Sequence, residues 1–258
     1  MKRLRQGSAN DKVLHWLRMA LQGREGWTRS WRSSPQSPMH SRLIYRRPVV
    51  VVDMQNDFRA KGGMFDRAGL DLSGIQAAVG PISQVIAGAR EQKIPIIYVK
   101  EVLSADLSDV GDEHSPHGRM ARRMAIGESV AAPDGQPSRI HIDDTWHTEI
   151  LPELAPQAGD TIIKKRRWSA FYETELDDKL RALGVQYLIV IGCTTSVCVE
   201  STIRDAAFRD YACLLPADCT AQPPVRSPQS THDASLVVIA RHFGWVTTSQ
   251  DLLQAFAQ

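Results

Sequence analysis

The chain has 258 residues, 43% of them hydrophobic and 23% charged, which suits one large globular domain with a sizeable core and excludes a disordered chain. Its formal net charge of +2 hides an uneven distribution, because residues 1–38 carry eight Lys/Arg against two Asp/Glu. The remainder carries 23 basic against 27 acidic residues, a net of −4, which argues against nucleic acid as the main partner.

Residues 1–38 read as a separate basic extension. Its end, Ser33-Ser34-Pro35-Gln36-Ser37-Pro38, should be irregular, while Val13–Leu21 has the spacing of a short amphipathic helix. Two readings stand side by side. One is a disordered extension or upstream sequence, with Met39 as an alternative start; the other is a transit-like or interaction segment. The globular domain is then residues 39–258. No apolar run reaches the ~18–20 residues of a membrane span.

Val49–Val52 is a β-branched apolar run and predicts a first strand. Ile75–Gln92 has helical spacing, with Val79, Ile82, Val85, Ile86 and Ala89 on one face. Further strands are predicted at Ile94–Val99, Thr161–Ile163, Tyr187–Ile191, Ala212–Leu215 and Gly244–Thr248. Helices are predicted at Thr174–Leu183, Val197–Arg209 and Ser230–His242, with a short one at the C-terminus. Apolar strands alternating with helices imply a three-layer, doubly wound α/β fold: a six-stranded, mostly parallel sheet with helices on both faces. Residues 104–145, rich in Asp, Gly, His and Pro, break the alternation and read as a long insert or lid.

Ligands of such folds bind at the carboxyl ends of the strands. Three residue types therefore stand out. Asp53 follows the first strand directly, either as a turn residue or as a site carboxylate. Lys165 ends the third strand within four consecutive basic residues, Lys164 to Arg167, either as part of a solvated loop or beside a buried carboxylate that it holds ionised. Cys198 lies beyond the fourth strand in the first turn of a helix, either as a small buried hydrophobe or as a thiolate favoured by the helix dipole. The other cysteines, Cys193, Cys213 and Cys219, read as packing residues, and the set of four forms no zinc pattern. Free thiols without a secretory signal predict a cytoplasmic protein.

The segments Val51-Val52-Asp53-Met54-Gln55-Asn56-Asp57-Phe58, Lys165–Phe171 and Gly192–Cys198, continued by Val199-Glu200-Ser201-Thr202-Ile203-Arg204-Asp205-Ala206, resemble the isochorismatase-like cysteine hydrolases, in the family's order. The resemblance covers residues 44–250. Trp168-Ser169-Ala170-Phe171, Cys198–Thr202 and Phe243-Gly244-Trp245-Val246 are most similar to the ureidoacrylate amidohydrolases and the biuret and triuret hydrolases. The resemblance implies a catalytic triad of Cys198, Asp53 and Lys165. Lys165 is chosen over Lys164 because the family's lysine stands four residues before its Ser-(Ala/Gly)-Phe element. It also implies a cis peptide between Cys193 and Thr194, an oxyanion hole from the Thr194 and Cys198 amides, and a homo-oligomer, a dimer or tetramer.

The region Val99–Asp106 lacks the Asp-x-His set of nicotinamidases, so no catalytic metal and no cofactor are expected. His114 and His117 are expected to be solvated loop residues. Isochorismatases proper lack the cysteine, which argues against vinyl-ether hydrolysis. The expected activity is hydrolysis of a terminal amide or carbamoyl C–N bond of a small ureide, with release of ammonia. The alternatives are a maleamate- or nicotinamide-type carboxamide hydrolase and a catalytically silent binding protein. Phe58 and Trp168 are expected to wall the pocket, and Asn56, Gln222, Arg119, Arg122 and Arg123 are candidates for the polar end of the substrate.

Overall fold

A computed structural model describes residues 47–224 and 230–257. The basic extension and Met39 lie outside the described residues. Val49–Val52 forms β1, and its alternate side chains enter opposite layers. Val49 and Val51 pack with Ile75, Ile82 and Val85 of α1 (Ser73–Glu91). Val50 and Val52 pack in the second core with Leu176 and Leu180 of α2 and Ile203 of α3, two helices placed below. Each fully buried Val, Leu or Ile contributes about 1.5–3 kcal/mol, so a strand with both faces covered needs an unbroken apolar run.

The other strands are β2 (Ile96–Glu101), β3 (Ser129–Ala131), β4 (Pro137–Arg139), β5 (Thr161–Lys165), β6 (Tyr187–Cys193), β7 (Ala212–Pro216), β8 (Thr220–Ala221) and β9 (Gly244–Thr247). The main sheet runs β5-β2-β1-β6-β7-β9, with the two-residue β8 added beside β6. Every pairing in it is parallel. The chain winds outward from β1 on one side and from β6 on the other, so the crevice between their carboxyl ends is the topological switch point.

The helices behind the sheet include α2 (Leu176–Ala182) and α3 (Glu200–Ala207), the latter entered through a π turn at Thr195–Val199. Next come α4 (Ser230–Val238), which runs into a second π turn at Ile239–Phe243, and α5 (Ser249–Phe256). The predicted single helix over 230–242 is thus an α-helix with a widened last turn.

Residues 104–145 are a folded insert. They hold the helix Pro116–Arg123 and the β3–β4 hairpin. Ala121, Met124, Ile126, Ile140 and Ile142 are buried in the same core as α1. Among the described residues, no helix is long and apolar enough to cross a membrane.

Candidate active site

Four strand ends meet at the switch point. Asp53, just past β1, has φ 52°, a left-handed conformation that Asp tolerates better than most residues. Its amide donates to Val99 O at 2.9 Å. Gly192, opposite Val52 in the ladder, has φ 120°, and a Cβ there would lie 2.0 Å from Val52 O. Only glycine lets β6 approach β1 this closely, which delivers the turn after β6 to Asp53.

β5 alternates sharply: Ile163 and Lys165 are fully buried, while Ile162 and Lys164 point outward. Lys164 pairs with Asp143 at 2.6 Å and Asp144 at 3.4 Å. The period-two geometry of a strand separates two adjacent lysines into a surface ion pair and a site residue. The basic run is not a solvated loop, since Arg166 pairs with Asp109 and Arg167 donates to Asp109 O at 2.8 Å. Both contacts tie it to the insert.

Lys165 Nζ lies 2.8 Å from Asp53 Oδ2 and 2.7 Å from Glu101 Oε2. Cys198 Sγ donates to the same Glu101 oxygen at 3.3 Å. The thiol and one oxygen of each carboxylate all lie within 4.8 Å of one another. The three segments named from the sequence therefore converge, and a fourth group, Glu101, joins them. Such a carboxylate–thiol set could ligate a cation; here the Lys165 ammonium sits against both carboxylates and fills that role.

Glu101 was missed by the sequence reading. Its signal was the alternation of Ile97, Val99 and Glu101 on one face, continued two residues past the predicted end of β2. In the ladder it stands directly beside Lys165. The Gln55 side chain fastens this strand end, accepting from Glu101 N at 2.8 Å and donating to Glu101 O at 3.0 Å.

Burial dominates the electrostatics of the cluster. Burial pushes the Asp53 carboxyl up to about 6; Lys165 opposes this, and the negative Glu101 adds to it. Lys165 was expected to hold Asp53 ionised; it divides its charge between two carboxylates, and Asp53 remains ionised at neutral pH with a raised proton affinity. Glu101 is held well below the usual carboxylate range: its burial acts upward but is outweighed by Lys165, His117 and His141. Burial also pushes the Cys198 thiol well up, with Lys165 pulling down and both carboxylates pushing further. The resting group is thus a thiol, whose proton a base must take. For Lys165, burial disfavours the charge but Asp53, Cys198 and Glu101 outweigh it, so it stays cationic.

The turn carrying the thiol contains a cis peptide between Cys193 and Thr194. The Thr194 carbonyl accepts from Val197 N at 3.2 Å and Val199 N at 3.1 Å. These two bonds skip the intervening Cys198 amide, and a π turn of this kind is a common device at functional sites.

Gln222 was expected to meet the substrate. Its Oε1 instead accepts from Ser196 N at 2.8 Å, and its Nε2 donates to Thr231 Oγ1 at 2.5 Å. Thr195 Oγ1 is similarly held, 3.0 Å from Thr220 Oγ1 and 2.9 Å from His232 Nδ1. Both ends of the Gln222 amide are engaged in bracing the turn against α4. Replacing Gln222 with the apolar, similarly sized Met is therefore expected to lower kcat about tenfold with KM nearly unchanged. Steady-state kinetics check this, and a raised KM with intact kcat would restore the substrate-contact role.

The remaining candidates scatter. Phe58 is buried, with its ring 5.1 Å from Phe65 and 5.6 Å from His141. Asn56 is buried and donates to Trp146 O at 2.8 Å. Trp168 is half-buried, its ring 6.1 Å from that of His117. Arg119 and Arg123 are exposed on the insert helix, where Arg122 pairs with Glu113 at 3.3 Å. The structure does not join these arginines to the cluster. His114 is exposed as expected, but His117 is buried, with Nε2 3.7 Å from Glu101 Oε1. The expectation of a solvated His117 fails because the insert folds onto the site instead of looping into water. Cys193, Cys213 and Cys219 are buried free thiols, and Cys193 Sγ donates to Asp53 O at 3.1 Å.

Residues 48–251 match the isochorismatase domain family. The chain is 35% identical to the ureidoacrylate amidohydrolase RutB of Azorhizobium caulinodans over 210 residues, covering 81% of this chain and 90% of that protein. It is 32% identical to the protein of that name from Variovorax paradoxus over 209 residues, covering 81% of each. Among solved structures, a cysteine hydrolase from Pseudomonas syringae pv. phaseolicola is similar at TM-score 0.69 and 29% identity, over 87% of this chain and 98% of that one. N-carbamoylsarcosine amidase from Thermoplasma acidophilum is similar at TM-score 0.59 and 25% identity, over 79% of this chain and 96% of that one. With its parallel sheet, its cluster at the switch point and this match over most of its length, the chain belongs to the isochorismatase family.

Proposed function

We propose that the protein is a cysteine amidohydrolase that cleaves a terminal amide or carbamoyl C–N bond of a small ureide, of the ureidoacrylate, biuret or triuret kind, and releases ammonia. The observation that carries this reading is the buried meeting of Asp53, Lys165 and Cys198 at the switch point. The names of the similar amidohydrolases and of the amidase supply the bond class.

Asp53 is the base. A carboxyl raised to about 6 is ionised at neutral pH yet basic enough to exchange protons in the transition state. It takes the Cys198 proton as Sγ bonds to the substrate carbonyl carbon. The carbonyl oxygen becomes an oxyanion held by the Thr194 and Cys198 amides; one such donor contributes about 2.7–4 kcal/mol. Protonated Asp53 gives its proton to the departing nitrogen, the C–N bond breaks, and ammonia leaves an acyl- or carbamoyl-thioester. Asp53 then takes a proton from water as its oxygen bonds to the carbonyl carbon. The C–S bond breaks, and the sulfur recovers its proton from Asp53. Lys165 and Glu101 hold base and thiol in place throughout.

The substrate class draws support from the two buried oxygens of Asp53. Oδ1 has no hydrogen-bond partner, and Oδ2 has only the Lys165 ion pair. Buried acceptors are rarely left unmet, and the N–H groups of a carbamoyl or ureido substrate would satisfy them. The reading places residues 39–258 as one catalytic domain, needing no cofactor, active as a homo-oligomer in the cytoplasm.

Ammonia release from ureidoacrylate, biuret, triuret, maleamate and nicotinamide, measured side by side, tests the reading. Turnover of at least one ureide well above both carboxamides is expected. Preference for maleamate or nicotinamide would favour the carboxamide alternative, and no turnover at all would leave the binding-protein reading.

A further inference from the structure

His117 is the point at which the insert reaches the cluster. It stands in the first turn of the insert helix Pro116–Arg123, whose start is built tightly. Ser115 Oγ accepts from Gly118 N at 3.0 Å, and a Cβ on residue 118 would lie 2.2 Å from Asp112 O. Only glycine allows the turn that brings His117 inward.

The ring has one defined tautomer at one end. Nδ1 lies 2.9 Å from Val110 O, and a carbonyl can only accept, so Nδ1 carries hydrogen. Nε2 then faces Glu101 Oε1 at 3.7 Å, an oxygen with no hydrogen-bond partner. In a neutral ring Nε2 would present a lone pair to a carboxylate, which repels. An imidazolium presents N–H, which attracts. Trp168 covers the ring from the β5 side.

We propose that protonated His117 is a positioning residue of the catalytic cluster, its Nε2–H drawing on Glu101 Oε1 so that Oε2 stays between Lys165 and Cys198. The inference rests on the amidohydrolase reading above. The charged groups around His117 give it a second consequence. Asp53 and Glu101 oppose Lys165 alone, a surplus of one negative charge where Cys198 must ionise. His141, the other nearby cationic candidate, is tied to Asp57, with its Nδ1 3.3 Å from Oδ2. Asp57 also accepts from His147 Nδ1 at 2.5 Å. On the insert side, Asp109 is paired with Arg166. The His117 imidazolium balances the surplus, so the sulfur ionises in a neutral surrounding.

The test compares wild type, His117→Phe and His117→Gln with Cys198→Ala in kcat, KM, their pH profiles and thermal stability. A second readout, independent of substrate, is the rate of Cys198 alkylation by iodoacetamide against pH. Phe keeps bulk without a donor and is expected to lower kcat about 10- to 100-fold, with KM and melting temperature little changed and alkylation slowed. Gln offers an uncharged N–H at every pH. It is expected to recover part of kcat and part of the alkylation rate.

If Phe matches wild type in kcat and alkylation, or Gln recovers neither relative to Phe, the inference is overturned. It is also overturned if kcat falls only in step with melting temperature in both variants. Should His117→Phe fail to fold, His117→Gln decides alone: wild-type kcat and a wild-type alkylation rate overturn the inference, and a partial loss of both at unchanged KM and melting temperature supports it. An active Cys198→Ala enzyme sinks the amidohydrolase reading itself; an inactive one beside unaltered His117 variants sinks only this inference.

Discussion

Cys198→Ala is expected to lower kcat at least about ten-thousandfold while leaving the fold intact. The nucleophile cannot be replaced by water within the same geometry, and losses of this order follow its removal in other covalent hydrolases. Stability should change little, by about 1 kcal/mol, because one buried sulfur is lost from a partly polar site. Cys198→Ser separates chemistry from packing. The hydroxyl keeps the contact to Glu101 Oε2 that the thiol makes at 3.3 Å, but it is far harder to ionise beside two carboxylates. Serine is therefore expected to be stable and also inactive. Ammonia release at high enzyme concentration and thermal melting measure both effects; wild-type turnover by the alanine variant would falsify the nucleophile assignment.

Asp53→Asn has the second largest effect, and it acts in opposite directions on activity and stability. Activity should fall about a thousandfold or more, since an amide cannot take the thiol proton. In wild type, kcat/KM should rise with pH through about 6 and then level, as Asp53 becomes the ionised base.

Stability runs the other way. The folded protein binds the Asp53 proton more tightly than the unfolded chain does, because burial, the largest influence, disfavours the charge. The stabilisation that this proton provides is complete below the unfolded value and is lost as pH rises through about 6. Above that, the ionised buried carboxylate destabilises the fold on the order of 3 kcal/mol. Asparagine carries no such charge, and Lys165 retains Glu101 at 2.7 Å. The variant should melt several degrees above wild type at pH 7.5, with the gap closing towards pH 4. A variant that melts lower at both pH values would mean that the Lys165 pair, rather than the burden of charge, dominates at this position.

The trade between the two is physically ordinary. A base with useful proton affinity must be held where its charge is uncomfortable, and such sites are maintained at the expense of stability. The left-handed backbone of Asp53 belongs to the same pattern.

Much of this site was legible from residue order alone. Val49–Val52 could only be a doubly buried strand, so a carboxylate directly after it was conspicuous. The polar turn after Tyr187–Cys193 likewise marked Cys198, and both marks rest on local periodicity, which each segment carries by itself. The lysine was narrowed to one of two neighbours by motif spacing, and strand alternation supplies the physical ground for that choice.

What periodicity cannot encode is which strand end faces which, and with what charge. Glu101 became a member of the cluster only because β2 and β5 pair in a register that sets it beside Lys165. That placement adds to the effect of burial in raising the proton affinity of Asp53 and of the thiol. Gln222 was a polar candidate for the substrate, yet a backbone amide at Ser196 claims its oxygen. His117 lay in a stretch of glycine, proline and aspartate that has no repeating pattern, and its burial comes from the packing of the insert against the core. Local patterns thus determined the layers and the order of the site-bearing turns, because hydrogen bonding and burial of single elements act over a few residues. Long-range pairing decided protonation and partnership, because electrostatic fields and hydrogen bonds depend on distances between atoms far apart in the chain.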